Sequence, residues 1–202
     1  TDKHYLGELA RRGVPVIESH YLEPGEDATQ LPDLAEFVLK PCVGAGSRGA
    51  RRFLRRERPA AIEHARQLQA EGHSVLLQPY LAQVDEVGET ALVFFDGRFS
   101  HAIRKGPLLR RGEAAVRALF APEHISARVP SAQEREVAKQ VLAALPFERL
   151  AYARVDLLPA PEGPQLLELE LTEPSLFFAT APGAAERFAA TLAARLESAA
   201  AT

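Results

Sequence analysis

Residues 167–171 alternate leucine with glutamate, and this alternation constrains the fold more than any other feature of the sequence. Successive side chains of an extended strand point to opposite faces, so Glu168 and Glu170 share one face and the leucines share the other. A second strand is predicted at 152–158, and a turn rich in proline and glycine joins the two. An antiparallel pair of these strands could bring Asp156 alongside the two glutamates.

Asp156, Glu168 and Glu170 would repel one another on a shared face unless a cation lay among them. Carboxylate oxygens are hard ligands, and they suit Mg²⁺ that is shared with phosphates. Arg154 lies two residues before Asp156 on the same face, where it could meet the same phosphates. The alternative is a solvated strand face with ordinary alternation, although apart from Arg154 no Lys or Arg is interleaved with the acids.

A lysine followed by a glycine-rich turn marks a second candidate site. Only four of the 24 basic residues are lysines, so lysine is not this chain's default cation. Lys40 and Pro41 end a buried strand predicted at 37–39, and the turn follows at 43–49. Glycine lets backbone N–H groups approach a polyphosphate closely, and lysine supplies a point charge for its oxygens. Because the lysine precedes the glycines, a P-loop is excluded, and a flexible connection after a strand is the alternative.

A third segment, Gln78-Pro79-Tyr80-Leu81, ends a predicted strand at a proline-fixed connector. Its backbone N–H and C=O groups could meet an adenine edge, and Asp85, Glu86 and Glu89 could accept hydrogen bonds from ribose hydroxyls. Alone this segment is uninformative, and a domain linker is the better interpretation.

The remaining pattern mixes helices and strands without strict alternation, which predicts an α+β fold rather than a doubly wound sheet. A hairpin is predicted across 89–105, because Asp96-Gly97 separates two apolar runs. Residues 106–130 show no regular pattern. Helices are expected at 3–12, 59–71, 131–145 (with a capping-box pattern at Ser131 and Glu134) and 182–200, and a short edge strand containing Pro15 at 14–18.

Composition excludes several classes of protein. A net charge of −3 gives no general case for binding nucleic acid or an anionic membrane. The single cysteine, Cys42, rules out a disulfide framework and a cysteine-based zinc site. No apolar run reaches the ~18 residues of a membrane span, so the cytoplasm is the expected compartment. The 202 residues open on Thr1 without an initiator Met, which suggests a piece of a longer polypeptide.

Taken together and in this order, the motifs resemble the ATP-grasp superfamily, and within it the branch of glutathione synthetase and the ribosomal-protein glutamate ligases. The resemblance covers essentially the whole chain. It rests on residues 37–41 with the glycine turn, 78–81, 154–156 and 167–171. Residues 99–105 and 168–178 are similar to a bacterial subgroup that includes the cyclo-ligase of cycloserine biosynthesis.

The resemblance implies a fold and a reaction. Two α+β subdomains, a lid-type one at 1–79 and a C-terminal one at 80–202, would grip the nucleotide between antiparallel sheets. With ATP and Mg²⁺, or Mn²⁺ in its place, the protein would activate a carboxylate as an acyl-phosphate for attack by an amine or similar nucleophile. The products would be ADP and either an amide or a closed ring. The expected partners are ATP and a small carboxylate or amine substrate, and the protein could form a homo-oligomer.

The resemblance also assigns roles to individual residues. Arg154 and Lys105 are candidates for contact with the transferring phosphate, and the implied metal ligands are Asp156, Glu168 and Glu170. The nucleotide-binding positions are of four kinds. The phosphate-contacting lysines are Lys3 and Lys40, and the closing glycine turn contains Gly44, Gly46, Ser47 and Gly49. The adenine hinge consists of Gln78, Tyr80 and Leu81, and the ribose acceptor is Glu86.

This chain departs from the family pattern at several points. Glu170 stands where the family usually has Asn, which puts the number of metal ions in question, and Ala91 stands where many relatives have Arg. The domain that precedes this region in most members is expected to lie outside this piece of the chain, so the isolated fragment is expected to be poorly active. A nucleotide-binding module without catalysis is the alternative. The arginine run between Arg48 and Arg58 would suit nucleic acid, but it holds a single aromatic residue, and a solvated surface is the better interpretation.

Overall fold

Two antiparallel sheets, each accompanied by helices, make up the described part of the chain, which confirms the predicted α+β class. The computed structural model describes residues 2–44, 47–109, 111, 124–147, 150–172 and 174–200. The first of two units combines the residues up to Ala82 with the described residues between Pro107 and Arg111, and the second combines Gln83–Gly106 with residues from His124 onward. The proposed subdomain boundary between residues 79 and 80 stays a prediction.

The first unit is built on a four-stranded sheet. Its elements are α1 (Tyr5–Arg11), β1 (His20–Leu22), β2 (Glu36–Pro41), β3 (Arg51–Leu54), α2 (Arg58–Ala70) and β4 (Val75–Pro79). The strands lie in the order β1-β4-β2-β3, and each neighbouring pair is antiparallel. Alternate residues of β2 are buried, and Phe37 and Leu39 join a core that includes Phe53, Ala61 and Leu77.

The strand predicted at 14–18 is wrong, because the edge strand begins six residues later, at His20. Pro15 has no N–H to donate to a ladder, which disfavours a strand around it. The edge strand β1 instead places His20 opposite Leu77 on β4.

The second unit is built on a five-stranded sheet. Its elements are α3 (Val84–Val87), β5 (Glu89–Phe95), β6 (Arg98–Lys105), β7 (Ile125–Arg128), α4 (Ala132–Ala143), β8 (Tyr152–Leu158), β9 (Gln165–Glu170) and α5 (Ala184–Ala200). The strands lie in the order β7-β6-β5-β8-β9, again with antiparallel neighbours. None of the helices described has the length and apolar character needed to cross a membrane.

Local signals predicted the hairpin and the start of α4 correctly. Asp96 and Gly97 both have positive φ, 47° and 74°, as a two-residue hairpin turn with the right twist requires. At α4, Ser131 Oγ accepts a hydrogen bond from the Glu134 backbone N–H at 3.1 Å, and Glu134 Oε2 accepts one from the Ser131 N–H at 2.6 Å. Strand β7 lies where no pattern was found, because a four-residue edge strand without a buried residue shows no alternation.

An ion-pair cluster in the first unit joins β2, β3 and the segment after residue 106. Glu36 on β2 accepts a hydrogen bond from Arg52 Nε at 2.7 Å. It accepts two more from Arg111, at 2.8 Å from Nε and 2.9 Å from Nη2. The hydrogen bonds from Arg111 lower the pKa of Glu36 most, burial opposes them, and Arg52 lowers it further, to about 2.

Glu36→Gln is expected to remove an acid-sensitive part of the stability. Because the pKa of Glu36 lies below its ordinary value of 4.5 in the folded protein, its ion pairs stabilise the fold above that value and are lost as the pH falls toward about 2. Urea unfolding should therefore show the free-energy difference between wild type and Glu36→Gln shrinking between about pH 5 and pH 3. Glu63→Gln, at an exposed position on α2, is the control, and a difference of the same size at both pH values would contradict the assignment.

Candidate functional site

Three carboxylates lie together on the paired strands β8 and β9. Asp156 stands opposite Glu168, and Arg154 stands opposite Glu170, which confirms the predicted antiparallel pairing. One carboxylate oxygen from each of Asp156, Glu168 and Glu170 lies within 4.8 Å of the other two. Asp156 is 1 % exposed, whereas the two glutamates are half-buried.

The apolar side of β9 differs from simple alternation. The register shifts after Asp156, so that Leu157 stands opposite Leu166 and one extra residue of β9 is accommodated. Leu166 and Leu169 are consequently the buried leucines, and Leu167, which alternation placed on the same face as Leu169, is half-buried. Such a bulge re-aims side chains without ending the strand pair, and the acids keep their shared face.

Two buried cations neutralise Asp156. Arg154 donates from Nε to Asp156 Oδ1 at 2.8 Å and from Nη2 to Oδ2 at 2.9 Å, and Nη2 also donates to Glu170. Lys105 Nζ, at the end of β6, donates to Asp156 Oδ2 at 2.6 Å and lies 2.6 Å from Glu89 Oε1. The structure therefore brings both proposed catalytic cations to the carboxylates of β8 and β9.

Burial and charge compete in setting the protonation of this cluster. Burial alone would raise the pKa of Asp156, but Lys105 and Arg154 hold that pKa below its usual range. Burial would lower the pKa of Lys105, and the charges of Asp156 and Glu89 raise it instead. Burial dominates at Glu89 and raises its pKa to about 7, against the opposing charge of Lys105.

The donor set fits a hard divalent cation. All three candidate ligands are carboxylates. Asp156 accepts three hydrogen bonds, and a carboxylate offers roughly four lone-pair directions. Among the described residues, the cluster brings the carboxyl groups of Glu89, Asp156, Glu168 and Glu170 together with the two cations Lys105 and Arg154. This excess of negative charge and the oxygen-only ligands suit Mg²⁺.

The two lysines of the first unit have different surroundings. Lys3 is 5 % exposed, and its Nζ donates to the carbonyl of Gly44 at 3.1 Å, so the start of the glycine turn is bound to a residue two positions before α1. Lys40 is half-buried on β2. Ser47 and Gly49 have positive φ, 59° and 77°, which favours glycine at the second position. Gly46, also proposed for this turn, lies outside the described residues.

The proposed adenine and ribose contacts occupy separate parts of the chain. Gln78 is 3 % exposed, and its Nε2 donates to Ser19 Oγ at 3.0 Å. Tyr80 and Leu81 are half-buried, and the Tyr80 N–H donates to the carbonyl of Glu36 at 3.0 Å. Glu86 lies exposed on the short helix α3 of the second unit, where its carbonyl accepts a hydrogen bond from Arg104 at 3.0 Å.

Sequence reasoning missed two features of these sites. Glu89, considered only as a ribose acceptor, is the second acidic neighbour of Lys105. The arginine run was interpreted as a solvated surface, yet Arg52 is 6 % exposed, and Arg58 donates to three backbone carbonyls. The signal that could have identified Arg52 is its place beside Phe53 on a strand, because neighbouring strand residues point to opposite faces and Phe53 points to the core.

Comparison with known proteins identifies a similar one. No family model matches the chain. The chain is 41 % identical over 214 residues to the cycloserine biosynthesis protein DcsG of Streptomyces lavendulae, a match that covers 97 % of this chain and 70 % of that protein. The crystal structure of D-cycloserine synthetase DcsG matches with a TM-score of 0.88 and 40 % identity, over 96 % of this chain and 70 % of that one.

Two less similar solved structures share the fold. D-alanine–D-alanine ligase from Bacillus anthracis matches with a TM-score of 0.65 and 18 % identity, over 92 % of this chain and 61 % of that one. The ATP-grasp ligase PsnB, complexed with a phosphomimetic variant of its minimal precursor, Mg and ADP, matches with a TM-score of 0.65 and 19 % identity, over 96 % of this chain and 58 % of that one. At these identities the likeness concerns the fold alone.

Proposed function

This chain belongs to the ATP-grasp ligase family, and on that premise we propose that it uses ATP and Mg²⁺ to activate a carboxylate for attack by an amine or a similar nucleophile. The observation that carries the proposal is the cluster of three carboxylates and two buried cations on β6, β8 and β9. An arrangement of this kind can neutralise and position phosphate oxygens, and phosphoryl transfer depends mainly on those two tasks.

The residues of the second unit would act on the reacting groups. Asp156, Glu168 and Glu170 would hold Mg²⁺, which neutralises phosphate charge when bound, and we propose that Mn²⁺ can replace it because both ions accept carboxylate oxygens. Arg154 is held rigidly, since it donates to Asp156, Glu170 and the carbonyl of Ser175. These bonds use four of the five N–H donors of the guanidinium, so its proposed contribution toward a phosphoryl group is mainly its fixed positive charge.

The residues of the first unit would bind the nucleotide. Lys3 and Lys40 would contact phosphates, and the turn from Gly44 to Gly49 would exclude water from the activated intermediate. The backbone of Tyr80 and Leu81 would meet the adenine. The link from Lys3 Nζ to the Gly44 carbonyl, at 3.1 Å, supports a coupling between phosphate contact and the position of this turn.

The proposed reaction has two steps. A carboxylate oxygen of the substrate attacks the γ-phosphorus of ATP, the bond to ADP breaks, and an acyl-phosphate forms. The nucleophile then attacks the acyl carbon, phosphate leaves, and the nucleophile loses its proton. Because the similar protein is named for cycloserine biosynthesis, we propose that carboxylate and nucleophile belong to one amino-acid-derived substrate, so that the reaction closes a ring.

ADP release tests this proposal. The protein is incubated with ATP and Mg²⁺, with Mn²⁺, or with EDTA, against a panel of amino acids and ureido-amino acids. We expect ADP release with Mg²⁺ or Mn²⁺ and a ureido-amino acid, none with EDTA, and a cyclic product by mass spectrometry. A linear amide would overturn ring closure alone. Calorimetric ATP binding without ADP release from any acceptor would support the nucleotide-binding module without catalysis instead.

A further inference from the structure

We infer that Glu36 and Arg52 are positioning residues that fix the nucleotide-binding backbone at Tyr80 and Leu81. This inference rests on the proposed function, which assigns that backbone to the adenine. Neither side chain was expected near a site, since Glu36 lies at the start of β2 and Arg52 in the middle of an arginine run. Three features of the first unit support the inference, namely the main chain after Pro79, the stacked Arg52 side chain and the anchoring of residues 109 and 111.

The main chain at the end of β4 depends on Glu36. Phe37 stands opposite Pro79 in the ladder between β2 and β4, and proline has no N–H to donate. The next donor is the Tyr80 N–H, and it reaches the carbonyl of Glu36 at 3.0 Å. The backbone of Glu36 therefore continues the ladder past the proline and sets where Tyr80 leaves the sheet.

The Arg52 side chain holds the same point from the neighbouring strand. Arg52 stands opposite Val38 on β2, diagonal to Glu36, so the two side chains share one face of the sheet. Its guanidinium carbon lies 3.3 Å from the centre of the Tyr80 ring, and its Nε donates to Glu36 Oε1 at 2.7 Å. With Arg52 only 6 % exposed, this stack is screened from water, where cation–π attraction is strongest.

Residues 109 and 111 provide the third set of contacts with Arg52 and Glu36. Arg52 Nη1 donates to the carbonyl of Leu109 at 3.2 Å, and Arg111 donates twice to the carboxylate of Glu36. Glu36 and Arg52 thus fasten both the end of β4 and residues 109 and 111 to β2 and β3. Lys40 lies on the same face of β2 as Glu36, because the two are an even number of residues apart. The face that carries the proposed phosphate lysine therefore also carries this anchor.

Loss of the anchor should affect nucleotide binding more than chemistry. Glu36 and Arg52 touch backbone and ring atoms of the first unit and none of the carboxylates of β8 and β9 among their described contacts. If the segment at Tyr80 is released, it must become ordered when ATP binds, and this entropy loss weakens the affinity for ATP. The groups that contact the phosphates keep their places.

The test compares Arg52→Ala and Glu36→Gln with Arg55→Ala. Arg55 pairs with Asp33 at 3.0 Å in an exposed ion pair, so its exchange is a matched arginine control on the same unit. For Arg52→Ala we expect the KM for ATP, and the Kd for ATP measured by calorimetry without acceptor, to rise about tenfold, which corresponds to one lost charged hydrogen bond. For Glu36→Gln we expect both constants to rise by less. The kcat should stay within about twofold of wild type, and Arg55→Ala should change neither constant.

A fourth variant covers a failure of Arg52→Ala to fold. Arg52→Lys keeps the charge near Glu36 but loses the planar stack on Tyr80 and the fork that reaches Leu109, so we expect a rise in KM with unchanged kcat. A kcat that falls with an unchanged KM, or wild-type KM and Kd in a folded Arg52 variant, would overturn the inference and leave the ligase proposal intact. Absence of ATP binding and ADP release in the wild type would overturn the proposed function itself.

Discussion

Asp156→Asn is expected to lower the free energy of unfolding by about 3 kcal/mol and to abolish ADP release. The exchange keeps the shape of the side chain but removes its charge, and the acidic neighbours left among the described residues are Glu170 for Arg154 and Glu89 for Lys105. Removing one partner of a buried ion pair costs about 3–5 kcal/mol, and the remaining carboxylates place the expected cost at the lower end of that range. Turnover should stop because one proposed metal ligand is lost and the two cations lose their common acceptor.

Asp96→Asn provides the matched control for that experiment. Asp96 also pairs with an arginine, Arg195, at 2.8 Å, but both side chains are about one-third exposed. Its positive φ of 47° suits Asn as well as Asp, so the exchange adds no backbone strain. Urea unfolding should show a loss of at most about 1 kcal/mol and normal ADP release. Equal stability losses in the two variants would contradict the central role of Asp156 in its cluster.

Lys40→Ala is expected to lower kcat/KM for ATP by about 100-fold while the protein stays folded. Lys40 is a half-buried residue of β2, on the face opposite to that of Leu39, so truncation removes a charge without opening the core. In the proposed function that charge meets phosphate oxygens, and a single preorganised donor is worth about two orders of magnitude in rate. ADP release at varied ATP concentration measures the effect.

Lys139→Ala controls for the loss of a lysine in a chain that has only four. Lys139 is exposed on α4 and has no proposed role in either site, so its exchange should leave kcat/KM unchanged. A Lys40→Ala variant that retains wild-type kcat/KM for ATP would remove Lys40 from the proposed nucleotide site.

The pairing of β8 with β9 could be predicted because its signal is local. The glutamates at 168 and 170 alternate with leucines, and a short turn leads back to the strand that carries Asp156, so the shared face of the acids followed from the sequence. The bulge that buries Leu166 in place of Leu167 could not be predicted, because packing across the sheet determines it and the alternation of residues does not.

The position of Glu89 shows the same limit in the hairpin. Counting outward from Asp96-Gly97 pairs Phe95 with Arg98 and would place Glu89 opposite Arg104. The structure contains a register shift between Val93 and Phe94, so Glu89 stands opposite Lys105 instead. One irregular residue thus decides which cation the acid meets. The surroundings of Arg52 escaped prediction for a related reason, because its partners Tyr80 and Leu109 are 28 and 57 residues distant in sequence.

The path of the chain between the two units limits how the protein can be divided. The first unit combines the residues up to Ala82 with a later segment that begins at Pro107. The second unit begins at Gln83 and resumes at His124. A gene cut after codon 82 would therefore produce an N-terminal piece whose Glu36 lacks Arg111 and whose Arg52 lacks the Leu109 carbonyl. In a two-piece protein these contacts would have to form between separate chains, whereas a circular permutation would keep residues 107–111 in the same chain as Glu36 and Arg52.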